Sequence, residues 1–81
     1  MKLSILTPET QLFEGEVSSV KVPGTGGPFE VLKDHAPVVS SLQKGEVRIK
    51  TDKGEETFKI ENGFIEVLNN NISLLVQAAT E

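Results

Sequence analysis

Three groups of residues in this chain are of types that do chemistry. The first is Asp34-His35, followed at short range by Ser40 and Ser41. A carboxylate that orients an imidazole, with a hydroxyl in reach of the other ring nitrogen, makes a nucleophilic triad. Adjacent residues in an extended chain point to opposite sides, so Asp34 is poorly placed to orient His35. The plainer reading is a corner histidine that bonds locally or sits at an interface, and it outweighs catalysis. His35 is the only histidine and cysteine is absent, so no metal site is expected. The second group is Gly24-Thr25-Gly26-Gly27, whose backbone amides could face a phosphate. A phosphate loop opens a helix and carries a Lys-Ser/Thr pair at fixed spacing. Here Pro28 and the strand-like Phe29-Glu30-Val31-Leu32 follow, so the glycines are better read as tight turns at positive φ. The third group is the glutamates scattered from Glu14 to Glu66, which suit a solvated surface. None of the three yields a catalytic residue or a cofactor.

The elements that would hold these residues are strands. Leu3 and Ile5 alternate with Lys2 and Ser4, the period of a half-buried strand, and Pro8 ends it. Gln11 to Glu16 reads as a short connection, with Leu12 and Phe13 tucked toward the core. In Val17 to Val22, alternation puts Ser18, Val20 and Val22 on one face and Val17, Ser19 and Lys21 on the other. Val38 to Leu42 is strand-like. Val47 and Ile49 then face in while Glu46, Arg48 and Lys50 face out. Asp52-Lys53-Gly54 is a hairpin loop, answered by Glu55 to Glu61 with Phe58 and Ile60 inward. That register sets Arg48 and Lys50 near Glu55, Thr57 and Lys59. Asn62-Gly63 signals a type I′ turn, and Asn69-Asn70-Asn71 a further turn. Ile72, Leu74, Val76 and Ala78 share a face of the last strand. No window shows a helical period. The expected fold is all-β: a flattened sandwich or barrel of roughly nine to ten short, mostly antiparallel strands.

Composition narrows the function. Eighty-one residues make one domain, 1–81, with a thin stability margin and little room for a deep cleft. The net charge is −4, from 12 acidic and 8 basic residues, which argues against a duplex-binding domain. Trp and Tyr are absent, so no base-stacking platform is expected. No apolar run has the length of a membrane span and no signal peptide is recognisable, so the chain reads as cytoplasmic and soluble. What remains is Phe29, Val31, Leu32, Ala36 and Pro37 around the central corner. They either form a docking site or close one end of the sandwich, and residue types alone do not separate the two.

A resemblance bears on that choice. Leu12-Phe13-Glu14-Gly15-Glu16-Val17, Val20-Lys21-Val22-Pro23-Gly24, Gly27-Pro28-Phe29-Glu30-Val31-Leu32-Lys33-Asp34-His35-Ala36-Pro37 and Leu42-Gln43-Lys44-Gly45-Glu46-Val47-Arg48-Ile49 resemble the epsilon subunit of the F-type ATP synthase. Asn62-Gly63-Phe64-Ile65-Glu66-Val67 and Asn71-Ile72-Ser73-Leu74-Leu75-Val76 continue the match. It spans essentially the whole chain and corresponds to that family's N-terminal β-sandwich. The resemblance implies a non-catalytic rotor component at the foot of the central stalk. Such a component binds the gamma subunit and the membrane ring of c subunits, and helps couple proton flow to ATP synthesis. His35, Ala36, Pro37 and Ser40 match the gamma-facing positions, and Gly26, Gly27, Pro28, Phe29 and Glu30 the ring-facing loop. It also implies a peripheral place on the cytoplasmic face of a bacterial inner membrane, within the complex. Family members usually read Gly-Ile and then Pro before His-Ala-Pro; here Glu30-Val31 and Lys33 stand there, a more charged corner. Typical members continue into a C-terminal helical pair that regulates ATP hydrolysis. With the sequence ending after the last strand at Thr80-Glu81, the expectation is that this pair and its nucleotide site are absent and that a stop codon follows. The alternative reading is a stand-alone β-sandwich adaptor with another protein partner.

Overall fold

The computed structural model describes residues 1–79, and the polar Thr80-Glu81 ending lies outside them. Eight strands are described: β1 (Lys2–Leu6), β2 (Gln11–Glu16), β3 (Ser19–Val22), β4 (Phe29–Val31), β5 (Val38–Leu42), β6 (Gly45–Thr51), β7 (Gly54–Leu68) and β8 (Asn71–Ala78). The path runs β2-β1-β8-β7-β6-β3-β4, with β5 also paired to β7. All pairs are antiparallel except β1 with β8. The sheet is open and folds over itself as a sandwich. Its shortest extent, 19 Å, suits two layers about 10 Å apart with side chains on their outer faces.

The fold turns on β7, which belongs to both layers. Its first half pairs with β6 through Thr51↔Gly54 to Gly45↔Ile60. Its second half lies between β5 (Leu42↔Gly63 to Val38↔Val67) and β8 (Gly63↔Val76 to Leu68↔Asn71). The ladder to β8 slips between Ile60 and Asn62, and such a bulge bends a strand where it changes layer. The strand preceding it bends at the same level: β5 and β6 are joined by Gln43-Lys44 alone. The chain beyond β3 follows, with Gly24 bridging Leu42 and the Gln43 amide donating to the Pro23 carbonyl at 2.9 Å.

The core follows period two. Leu3 and Ile5, Ile65 and Val67, and Ile72, Leu74 and Val76 line it from one layer. Val20, Val22, Val31, Val47, Ile49 and Ile60 line it from the other. Leu12, Phe13 and Phe58 pack at its margin, with the Phe13 and Phe58 rings edge to face, centroids 6.4 Å apart. This edge-to-face contact links β2, at one end of the path, to the first half of β7.

Four local expectations are corrected. Gln11 to Glu16 is a strand, paired with β1 from Lys2↔Glu16 onward. Asn62-Gly63 is not a turn; it sits inside β7. Glycine is needed there for space: a Cβ on Gly63 would meet the Leu75 carbonyl oxygen at 2.6 Å and Val76 Cγ1 at 2.8 Å. Val17 and Ser19 are buried while Ser18 is exposed, because regular β3 begins only at Ser19. Ala78 is exposed at the end of β8. The other turns hold. Gly54 has φ +119°, and Asn69 and Asn70 lie at +52° and +63°. The predicted register of β6 and β7 also holds, with Arg48 opposite Thr57 and Lys50 opposite Glu55. The Lys50–Glu55 ion pair, at 3.9 Å, is exposed on both sides and contributes little.

Substituting Gly63 with Ala should lower unfolding stability by about 1–3 kcal/mol, because backbone as well as side chain must shift. Ala at Gly26, which has open space around it, should change stability by less than about 0.5 kcal/mol. Urea denaturation of the two variants beside the parent measures the contrast.

Candidate functional site

The corner after β4 is a tight turn. The His35 amide donates to the Leu32 carbonyl at 3.0 Å, and Asp34 takes φ +65°. Its side chains are committed elsewhere than to a triad. The His35 Nδ1–H donates to the Ala36 carbonyl at 2.6 Å, so Nδ1 carries the proton and is not turned to a carboxylate. Asp34 Oδ1 accepts from Asn70 Nδ2 at 3.0 Å. Ser40 Oγ donates to the Ser41 carbonyl, and Ser41 Oγ bonds Thr25 Oγ1 at 2.8 Å. A hydrolytic arrangement of Asp34, His35 and Ser40 or Ser41 is therefore not built.

The glycine loop is equally committed. The Thr25 amide donates to the Ser41 carbonyl at 3.1 Å, and the Gly27 amide to the Gly24 carbonyl at 2.9 Å. Gln43 Nε2 donates to the same Gly24 oxygen. A phosphate would have to displace these bonds. Gly24 is buried, and a Cβ there would meet the Gly27 oxygen at 2.7 Å and the Phe29 ring at 2.9 Å. Gly27 takes φ +126°. Two of the three glycines thus have a spatial or conformational reason, and the loop is fastened to the end of β5. Pro28 and Glu30 are exposed at its far side, whereas Phe29 packs against the core.

The most exposed of the large apolar side chains lie on the sheet itself. Val39 is 71% exposed, Phe64 59% and Leu75 56%. All three point away from the core, because Val38, Leu42, Ile65, Leu74 and Val76 take the alternate inward positions. Register places Leu6 beside Leu75, Leu75 beside Phe64 and Phe64 beside Ser41, and the hydroxyl bond carries that row on to Thr25. Val39 lies one row away, opposite Glu66. A contiguous apolar row on a two-layer domain is the kind of surface that marks a partner. The signal was present in the alternation: Val39, Phe64, Leu68 and Leu75 are large apolar residues out of phase with the inward positions of their strands.

The sequence-derived candidates frame this face. His35, Ala36 and Pro37 precede β5, and Gly26 to Glu30 lie beyond its other end. Five strand residues set the two about 17 Å apart. Ser40 shares the inward side of β5 with Val38 and Leu42 and is half-buried at the sheet edge. Among the described residues, no group of three or more His, Cys, Asp or Glu side chains could hold a metal ion.

The described chain is thus an open two-layer β-sandwich with an apolar row on one outer face and with its titratable corner held by hydrogen bonds. The chain belongs to the family described as ATP synthase, Delta/Epsilon chain, beta-sandwich domain, whose model matches residues 1–81. It is 47% identical over 77 residues to the ATP synthase epsilon chain of Chlorobium limicola, covering 94% of this chain and 88% of that one. Against the epsilon chain of Caulobacter vibrioides it is 37% identical over 81 residues, covering 100% and 94%. Against that of Leptospira interrogans (serovar copenhageni) it is 40% identical over 75 residues, and spans 59% of the relative's length. The fold matches a chain in a structure of the Euglena gracilis mitochondrial ATP synthase, OSCP/F1/c-ring, with TM-score 0.87 at 20% identity, over 96% of this chain and 51% of that one. A second match, with TM-score 0.78 at 15% identity, lies in the central stalk/c-ring of the Tetrahymena thermophila mitochondrial enzyme and covers 94% of this chain and 62% of that one.

Replacing Gly24 with Ala should expose the loop to limited proteolysis between Pro23 and Pro28, because its Cβ displaces the Gly27 carbonyl. The same change at Gly26 should leave the cleavage rate as in the parent.

Proposed function

We propose that this chain is a non-catalytic rotor component of the central stalk in a proton-translocating F-type ATP synthase. It docks the gamma subunit to the membrane c-ring and helps couple proton flow to ATP synthesis. As part of the complex it sits peripherally on the cytoplasmic face of a bacterial inner membrane. The observation that carries this is the outward row of Leu6, Leu75 and Phe64, with Val39 beside it, framed by two loops at opposite ends of β5. Family membership and the epsilon-chain relatives support the assignment to this machine.

In this reading the apolar face and the corner of His35, Ala36 and Pro37, with Ser40 at the sheet edge behind them, meet gamma. The loop of Gly26, Gly27, Pro28, Phe29 and Glu30 meets the ring. A rotor coupling element must transmit torque between two partners without yielding. Strands that run through both layers, sharing one core, give that stiffness more readily than a hinged pair of modules would.

The test uses the chain with its cognate gamma subunit. Phe64→Thr combined with Leu75→Thr puts β-branched residues, which suit strands, at exposed positions, so stability should stay within about 1 kcal/mol of the parent. Affinity for gamma should fall at least about tenfold, as expected when a central apolar anchor is removed. His35→Glu should also weaken the complex, whereas Glu30→Lys should spare gamma binding and impair association with the c-ring. Full gamma affinity in the Phe64/Leu75 double variant would show that the proposed face is wrong.

A further inference from the structure

The corner that carries His35 is held by a residue far away in sequence. Asn70 sits in the turn between β7 and β8, 36 positions from Asp34. Its Oδ1 accepts the Asp34 backbone N–H at 2.7 Å, and its Nδ2 donates to Asp34 Oδ1 at 3.0 Å. The two bonds are reciprocal, and one is charge-assisted. Both residues lie at positive φ, Asp34 at +65° and Asn70 at +63°, a region that Asp and Asn enter more readily than other non-glycine residues when their side chains find hydrogen bonds. Asn70 is also anchored from the other side, since its carbonyl accepts the Lys2 amide at 2.9 Å. It therefore transmits the position of the β1–β8 layer to the exposed turn of Leu32 to Pro37.

The geometry points to Asn70 as a positioning residue: its side chain fixes the His35 corner in register with the apolar face before any partner arrives. Without it, the turn has the Leu32–His35 backbone bond and little else to hold Asp34 left-handed. A turn that samples other conformations binds with an affinity lowered by the fraction of time it is competent. Asn70 itself need not touch the partner. The inference rests on the proposed gamma contact for its functional consequence, but the clamp can be tested without it.

Asn70→Gly is the informative change, because glycine keeps the turn's positive φ and removes both bonds. Asp34→Gly keeps the left-handed backbone and its N–H, and so removes only the bond to Asp34 Oδ1. Asn70→Gly should speed amide exchange at Asp34 and His35 about tenfold, while Ile65 and Leu74 in the core keep their protection. Gamma affinity should fall about 5- to 20-fold for Asn70→Gly and less for Asp34→Gly, and the double variant should be no weaker than Asn70→Gly alone. Unchanged exchange at Asp34 in Asn70→Gly overturns the clamp, whatever gamma does. Faster exchange with unchanged gamma affinity overturns the positioning role. If the parent chain does not bind gamma at all, the proposed function fails, and the exchange result still decides whether Asn70 holds the corner.

Discussion

Strands β5–β6 and β7, together with the chain that prolongs β3, must turn from one layer into the other at a single level of the molecule, and this crowding governs the rest. Space there is limited by backbone carbonyls and by closely packed side chains alike. Gly63 lies against the Leu75 carbonyl, Gly45 against the Pro23 ring, and Gly24 against the Gly27 carbonyl and the Phe29 ring. Because β7 bends and continues, its first half lies in one layer and its second half in the other, and the two layers share one core. A domain of this size has little apolar area to divide, so a continuous core is also its route to stability.

The same bend decides what reaches the surface. Once Gly63 is fixed inward, period two sends Ile65 and Val67 inward and Phe64, Glu66 and Leu68 outward. Phe64 then stands beside Leu75, which β8 turns outward for the same reason. The apolar row is thus a consequence of register, and a one-residue slip would bury it. Fastening Thr25 to Ser41, and Asp34 to Asn70, attaches the two irregular loops to this frame. What the molecule offers a partner is a stiff face with its edges pinned.

Much of this was legible in the sequence. Alternation located most of the core, the Asp52-Lys53-Gly54 turn fixed the β6–β7 register, and Asn69-Asn70 marked the last hairpin. The misreading of Asn62-Gly63 has a clear cause. The same dipeptide serves a turn through glycine's φ range or a strand crossing through its missing Cβ, and only the position of Leu75 distinguishes them. Gln11–Glu16 was missed because its strand lies at the sheet edge, with only partial burial of Leu12 and Phe13 to impose a pattern. The loops were recognised as special, but their fastenings to Ser41 and Asn70 span 16 and 36 positions. No local rule reports a bond of that reach. The outward phase of Phe64 and Leu75 is legible in the alternation of their strands.

The central claim is that the outer face of Phe64 and Leu75, with the His35 corner at its end, receives gamma, while the outward residues of β6 and of the first half of β7 stay free of it. Amide hydrogen exchange on the chain alone and bound to the gamma subunit tests this most directly. The account predicts added protection at 35–41 and around Phe64 and Leu75, with the outward residues of β6 and of the first half of β7 unchanged. Protection concentrated instead on Glu46 to Lys50 and Glu55 to Lys59 would contradict it.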